Sequence, residues 1–129
     1  MIVITNQAGV ARNLFDCKRV EEINSYINKT LKEKGINIKD WQYCPCVDSV
    51  YANAHPELNI NLEFVQEKTK RKPNVGMVLD SLNNFGVDIN DFEKVLVLGD
   101  RHEDEGLAKN LGAKFIDVKN KKYNDLIIE

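Results

Sequence analysis

No apolar run in these 129 residues approaches the ~18 that a membrane-spanning helix needs. The longest are Met1-Ile2-Val3-Ile4 and Val95-Leu96-Val97-Leu98, and the first lacks the basic flank of a signal peptide. Charge of one sign is also missing. Lys and Arg number 18 against 20 Asp and Glu, for a net charge of -2 and a pI near 5.7. That balance argues against a general nucleic-acid or membrane binder. Cysteine is scarce and odd in number: Cys17, Cys44 and Cys46. The last two are too close for a comfortable disulfide, which points to a reducing, cytoplasmic setting. Internal repeats and low-complexity tracts are lacking.

What remains suits one domain. A content of 43% hydrophobic and 29% charged residues is that of a globular protein. A chain this long buries roughly two thirds of its unfolded surface, enough for one ordinary core and too little for a second domain.

Residues 1–5 are apolar and β-branched and stop at Asn6, Gln7 and Gly9, which reads as a strand. Val20, Ile23, Ile27 and Leu31 recur at three and four, so a one-faced helix is expected from Asp16, a plausible N-cap, to Lys34, with Gly35 as C-cap. Trp41 to Cys44 is a second short strand. Residues 45–74 hold all three prolines and no clean period. A stretch of about thirty residues exceeds an ordinary loop and reads as a functional insertion with some local structure. Met77 to Phe85 is expected to be a helix stopped by Gly86. Lys94 to Leu98 is a continuous Val/Leu strand of the kind buried on both faces of a parallel sheet. A helix from Asp104 to Leu111 closed by Gly112, a strand from Lys114 to Val118 and a short helix from Tyr123 to Ile128 complete the chain. This alternation predicts an α/β fold, with a mostly parallel sheet of about four strands between helices.

In such sheets ligands bind at the carboxyl ends of the strands. Three polar groups belong there. Thr5-Asn6-Gln7 brings a hydroxyl, amides and backbone N–H groups, suited to a phosphate oxygen or simply to capping the strand. Asp100 ends the Val/Leu strand, where a carboxylate can ligate a hard cation. Asp104, at the next helix start, is either a support for that ligand or a charge complementing the helix dipole. Arg71-Lys72 ahead of Pro73 is a pair of cations suited to a phosphate, or else a solvated basic loop.

Ile-Thr-Asn-Gln-Ala-Gly-Val-Ala-Arg (4–12), Cys-Pro (44–45), Arg-Lys-Pro-Asn-Val-Gly-Met (71–77) and Leu-Gly-Asp-Arg-x-x-Asp (98–104) occur in this order over nearly the whole chain. With them the chain resembles the haloacid dehalogenase (HAD) superfamily. Within it, the resemblance is to the histidinol-phosphate and D-glycero-D-manno-heptose 1,7-bisphosphate phosphatase branch. The resemblance implies a three-layer sandwich around a HAD-like Rossmannoid parallel sheet. It implies Mg-dependent hydrolysis of a small phosphate monoester through an aspartyl-phosphate. It assigns Thr5, Asn6 and Lys72 to catalysis, Gln7, Arg12 and Arg71 to the substrate, and Asp100 and Asp104 to Mg.

Two departures from that pattern shape the expectation. The family's nucleophile lies in Asp-x-Asp at the end of a first strand, and no Asp-x-Asp occurs here. Residue 1 falls in what resembles the second strand, so 1–129 is expected to be a HAD-like domain missing the first strand. Its nucleophile would come from an N-terminal segment or a second chain, and these residues alone would be inactive. The second departure concerns zinc, which branch members often hold in the loop at 45–74. Cys44, Cys46 and His55 are three candidates where a structural site needs four, so zinc is not expected. Two other readings stand: a polynucleotide 3'-phosphatase-like domain, and a non-catalytic interaction module on the same scaffold.

Overall fold

The computed structural model describes residues 1–67 and 69–119, and several of its helix ends coincide with capping residues. Helix α1 spans Cys17–Glu33, and the Asp16 carboxylate accepts the Arg19 N–H at 2.8 Å. Its C-cap is Lys34, one residue before the expected Gly35, which follows in the left-handed conformation. Helices α3 (Gly76–Phe85) and α4 (His102–Leu111) stop at Gly86 and Gly112, both left-handed. The insertion has local structure, as expected. A six-residue helix α2 (Ser49–Ala54) starts at Asp48, and a 3-10 turn spans Leu62–Phe64. The helix expected over 123–128 lies outside the described residues.

Strands β1 (Ile2–Asn6) and β2 (Asp40–Cys44) pair in parallel, Ile2 opposite Asp40 and Asn6 opposite Cys44. Strands β3 (Leu96–Gly99) and β4 (Lys114–Asp117) do the same, Leu96 opposite Lys114. Among the described residues no strand joins the two pairs, so the four expected strands form two two-stranded sheets. This alters the expectation for β3. Its Val/Leu run reads as buried on both faces, yet Leu98 is 45% exposed. A strand with one neighbour leaves part of its surface to solvent whatever its composition.

Strand alternation puts helices on both faces of the first pair. Trp41 Nε1 donates to Asn28 of α1 at 3.0 Å, and the Tyr43 hydroxyl donates to Glu21 of α1. On the other face Cys44 packs with Cys46 and with Met77 of α3, and Ile4 and Phe64 close that cluster. Helix, sheet and helix make the three layers expected. Helix α4 packs on β3 and β4, burying Leu107 and Ala108 beside Ile116.

Candidate active site

Lys72 ties the carboxyl ends of β1 and β3 together. Its backbone N–H donates to Asn6 Oδ1 at 2.8 Å, and its carbonyl accepts from Asn6 Nδ2 at 3.2 Å. Its Nζ donates to Asp104 Oδ1 at 2.5 Å. Asp104 Oδ2 in turn accepts the backbone N–H groups of Asp100 at 3.1 Å and Arg101 at 3.2 Å, just past β3. One chain of hydrogen bonds therefore runs from the end of one sheet to the end of the other.

A cavity of about 560 Å³ lies over this chain. Thr5, Asn6, Gln7 and Arg12 line it from the β1 side, Arg71 and Lys72 from the loop before α3, and Asp100 and Asp104 from the end of β3. All eight phosphate, substrate and metal candidates taken from the sequence meet in this one place. Gln7 Nε2 donates to Thr5 Oγ1 at 3.0 Å, which orients the hydroxyl. Leu14, Phe15, Tyr51, Arg101 and Glu103 also line the cavity and were not singled out from the sequence. Arg101 and Glu103 had a signal in their closeness to Asp100; Tyr51, in the insertion and twenty residues before Arg71, had none.

Four cations, Arg12, Arg71, Lys72 and Arg101, face three carboxylates, Asp100, Glu103 and Asp104. Asp104 is spent on Lys72. Among the described residues Arg12 Nε and Arg71 Nη1 are buried without a hydrogen-bond partner, and Glu103 Oε2 has only His102 Nδ1 near it, at 3.5 Å. A buried donor left unpaired costs about 1–3 kcal/mol, so an anion in the cavity would recover part of that loss.

Asp104 stands at the start of α4, where its carboxylate binds Lys72 and the backbone after β3. Burial pushes its carboxyl pKa up, and the Lys72 hydrogen bond and charge together with the Arg101 and Asp100 N–H groups more than offset this, leaving it below the ordinary value. Both its oxygens are occupied. Asp100 is different: its carboxylate is exposed at the strand end, with Lys119 Nζ 4.0 Å away, and has oxygen free for a hard cation. The helix start is also tightly built around Gly99. A Cβ there would collide with the Cβ and carboxylate of Asp104. Gly99→Ala is therefore expected to lower the urea midpoint by the equivalent of about 1–3 kcal/mol; an unchanged midpoint would show that α4 moves away freely.

The three zinc candidates stand apart from one another in character. Cys44 and Cys46 are buried in the core cluster with Met77. Burial and the neighbouring Cys44 and Cys17 push the Cys46 thiol pKa up. His55 caps α2, its Nδ1–H donating to the Tyr51 carbonyl at 2.9 Å. Among the described residues no group of three His, Cys, Asp or Glu is arranged to hold a metal.

Comparison with known proteins agrees with the fold. Residues 69–127 match the HAD-hydrolase-like family model. The D-glycero-alpha-D-manno-heptose-1,7-bisphosphate 7-phosphatase of Photorhabdus laumondii is 31% identical over 87% of this chain and 55% of its own length. The probable D-glycero-D-manno-heptose-1,7-bisphosphate 7-phosphatase of Thermoplasma volcanium is 33% identical over 82% of this chain and 60% of its own. The crystal structure of the D,D-heptose 1,7-bisphosphate phosphatase of B. bronchiseptica, complexed with magnesium and phosphate, superposes with a TM-score of 0.63 at 24% identity, over 88% of this chain and 53% of that one. The chain thus spans little more than half the length of these relatives. From the matched motifs, the parallel strand pairs with helices on their faces and these likenesses together, the chain belongs to the HAD-like hydrolase superfamily.

Proposed function

We propose that this chain is the larger part of a Mg-dependent phosphatase site for a small phosphate monoester of the sugar-phosphate type. The observation that carries this reading is the convergence on Lys72. Thr5 and Asn6 at one strand end and Asp100 at another share a cavity with a lysine held to both. Thr5 Oγ1 and the backbone N–H groups after β1 bind phosphoryl oxygens. Lys72 Nζ lies close enough to neutralise charge that builds on the phosphoryl group in the transition state. Arg12, Arg71 and Gln7 orient the remainder of the substrate. Asp100 fits a Mg ligand by its exposed oxygens; Asp104 does not, and serves to position Lys72. When bound there, Mg would offset the charge of the transferring phosphoryl group.

The nucleophilic carboxylate comes from outside these 129 residues. Strands β1 and β3 each keep an unpaired edge among the described residues, and their carboxyl ends meet at Lys72. A parallel strand between them, from a further segment or a second chain, would bring its last residues to the cavity. Its carboxylate would attack phosphorus and expel the alcohol, and water would then release phosphate from the aspartyl-phosphate. Three free thiols suit a cytoplasmic setting.

The test is a pair of assays with p-nitrophenyl phosphate and a sugar bisphosphate in Mg²⁺. The 129 residues alone are expected to give no turnover. A longer form carrying an Asp-x-Asp strand is expected to turn over at about 1 per second or more and to melt at a higher temperature. A higher melting temperature without Mg-dependent turnover on any phosphate ester would leave the interaction-module reading in its place.

A further inference from the structure

Among the described residues Arg71 has no acidic partner, and its Nη1 is buried without a hydrogen bond. A long, flexible side chain in a cavity needs something to hold it. That something is an aromatic face: the Arg71 guanidinium carbon lies 5.8 Å from the centroid of the Tyr51 ring. Tyr51 is itself fixed from several directions. Its backbone N–H donates to the Asp48 carboxylate at 2.7 Å, and its carbonyl accepts from His55 Nδ1 at 2.9 Å. Its ring stacks on the His55 ring, with centroids 4.4 Å apart. Asp48, Tyr51 and His55 therefore brace a helix of only six residues, too short to persist on its own.

We propose that Tyr51, braced by His55, is a positioning residue that holds the Arg71 guanidinium ready for an anionic group of the substrate. The inference rests on the phosphate-site reading above and adds to it a residue from the insertion. Its physical logic lies in the choice of partner. A carboxylate would hold the guanidinium more strongly, but it would neutralise the charge and occupy the donors that an anion needs. A π face attracts the cation and leaves the planar fork of N–H donors free. Insertion and phosphate site are thereby coupled: the short helix at 49–54 sets how well Arg71 is pre-organised, and so how tightly the anion binds.

The test is a double-mutant cycle on the 129-residue chain, read by calorimetric titration with inorganic phosphate. Tyr51→Leu is expected to weaken binding about two- to fivefold, and Tyr51→Phe to restore it. In an Arg71→Gln background, Tyr51→Leu is expected to change nothing further, whereas a merely structural role would cost the same in both. Should Tyr51→Leu fail to fold, phenylalanine and a trifluorinated phenylalanine at 51 compare rings of nearly one shape. Weaker binding with the electron-poor ring supports the proposal, and equal binding overturns it. Phosphate binding that falls in Arg71→Gln but not in Tyr51→Leu overturns the proposal and leaves the phosphate site standing. A wild-type chain that binds no phosphate overturns both.

Discussion

Asp104→Ala is expected to cost about 3–5 kcal/mol of folding stability, the penalty for stranding one member of a buried ion pair. The side chains of Lys72 and Asp104 are only 14% and 9% exposed, so solvent screens the pair little. The substitution leaves the Lys72 ammonium without a counter-charge and frees the N–H groups of Asp100 and Arg101 at the end of β3. On a total of about 5–15 kcal/mol, this is between a fifth and the whole of the stability. Asp104→Asn keeps an acceptor for these donors and is expected to cost less, on the order of 1.5–3 kcal/mol. Urea denaturation at neutral pH measures both. The pH dependence has a definite sign. The Asp104 pKa is lowered in the folded chain, so its contribution is present above the unfolded value of about 3.9 and is lost as pH falls through the folded value. Wild type should therefore lose stability on acidification below about pH 4 more steeply than Asp104→Asn. Parallel acid profiles would show that this carboxylate is not held by Lys72.

Lys72→Met is expected to have the largest effect on chemistry. In a form that carries the nucleophile, turnover should fall by about 10²–10³, the range for removing one charge-stabilising donor from a transition state. Lys72→Arg is expected to rescue poorly, because a planar fork cannot occupy the place of a point charge held by Asp104. In the 129-residue chain the same substitution is read as lost affinity for inorganic phosphate. A lysine on a loop reads, in sequence, as removable at little cost to stability. The structure reverses that. Without Nζ, Asp104 becomes an uncompensated buried charge, so Lys72→Met should also lower the melting temperature and must be assayed well below it. Full turnover with Met at 72 would show that the phosphoryl charge is met elsewhere.

Much of the fold was legible because its signals are local. The three-and-four spacing of Val20, Ile23, Ile27 and Leu31 marks a helix, Asp16 can cap it through its own Oδ1, and Gly86 and Gly112 stop helices through their own backbone freedom. Thr5, Asn6, Gln7 and Asp100 were legible for a similar reason, since parallel strands deliver whatever follows them to one edge; Arg12, Arg71 and Lys72 follow no strand directly and owe their roles to the motif resemblance. Tyr51 was not legible. Its value lies in a contact with Arg71, twenty residues away across an insertion of irregular period, and no local pattern records such a contact. The same limit applies to Asp104. Position at a helix start accounts for its charge, but not for the fact that Lys72 uses it.

By itself, then, the sequence determined α1, α3, α4 and the four strands in their order, the parallel sense of the strands and the family, because these follow from side-chain periodicity, caps and motifs read over a few residues. Only the tertiary structure decided that, among the described residues, the strands stand as two separate pairs with Leu98 half exposed, and that Lys72 links the ends of β1 and β3 through Asn6 and Asp104. It alone showed that both oxygens of Asp104 are committed, that Asp100 is exposed with only Lys119 near it, and that Arg71 rests on Tyr51. Each of these depends on the distance between groups far apart in the chain. That distance is set by how the packed layers meet, and the strength of a charge or hydrogen bond there is set by how much water the packing excludes.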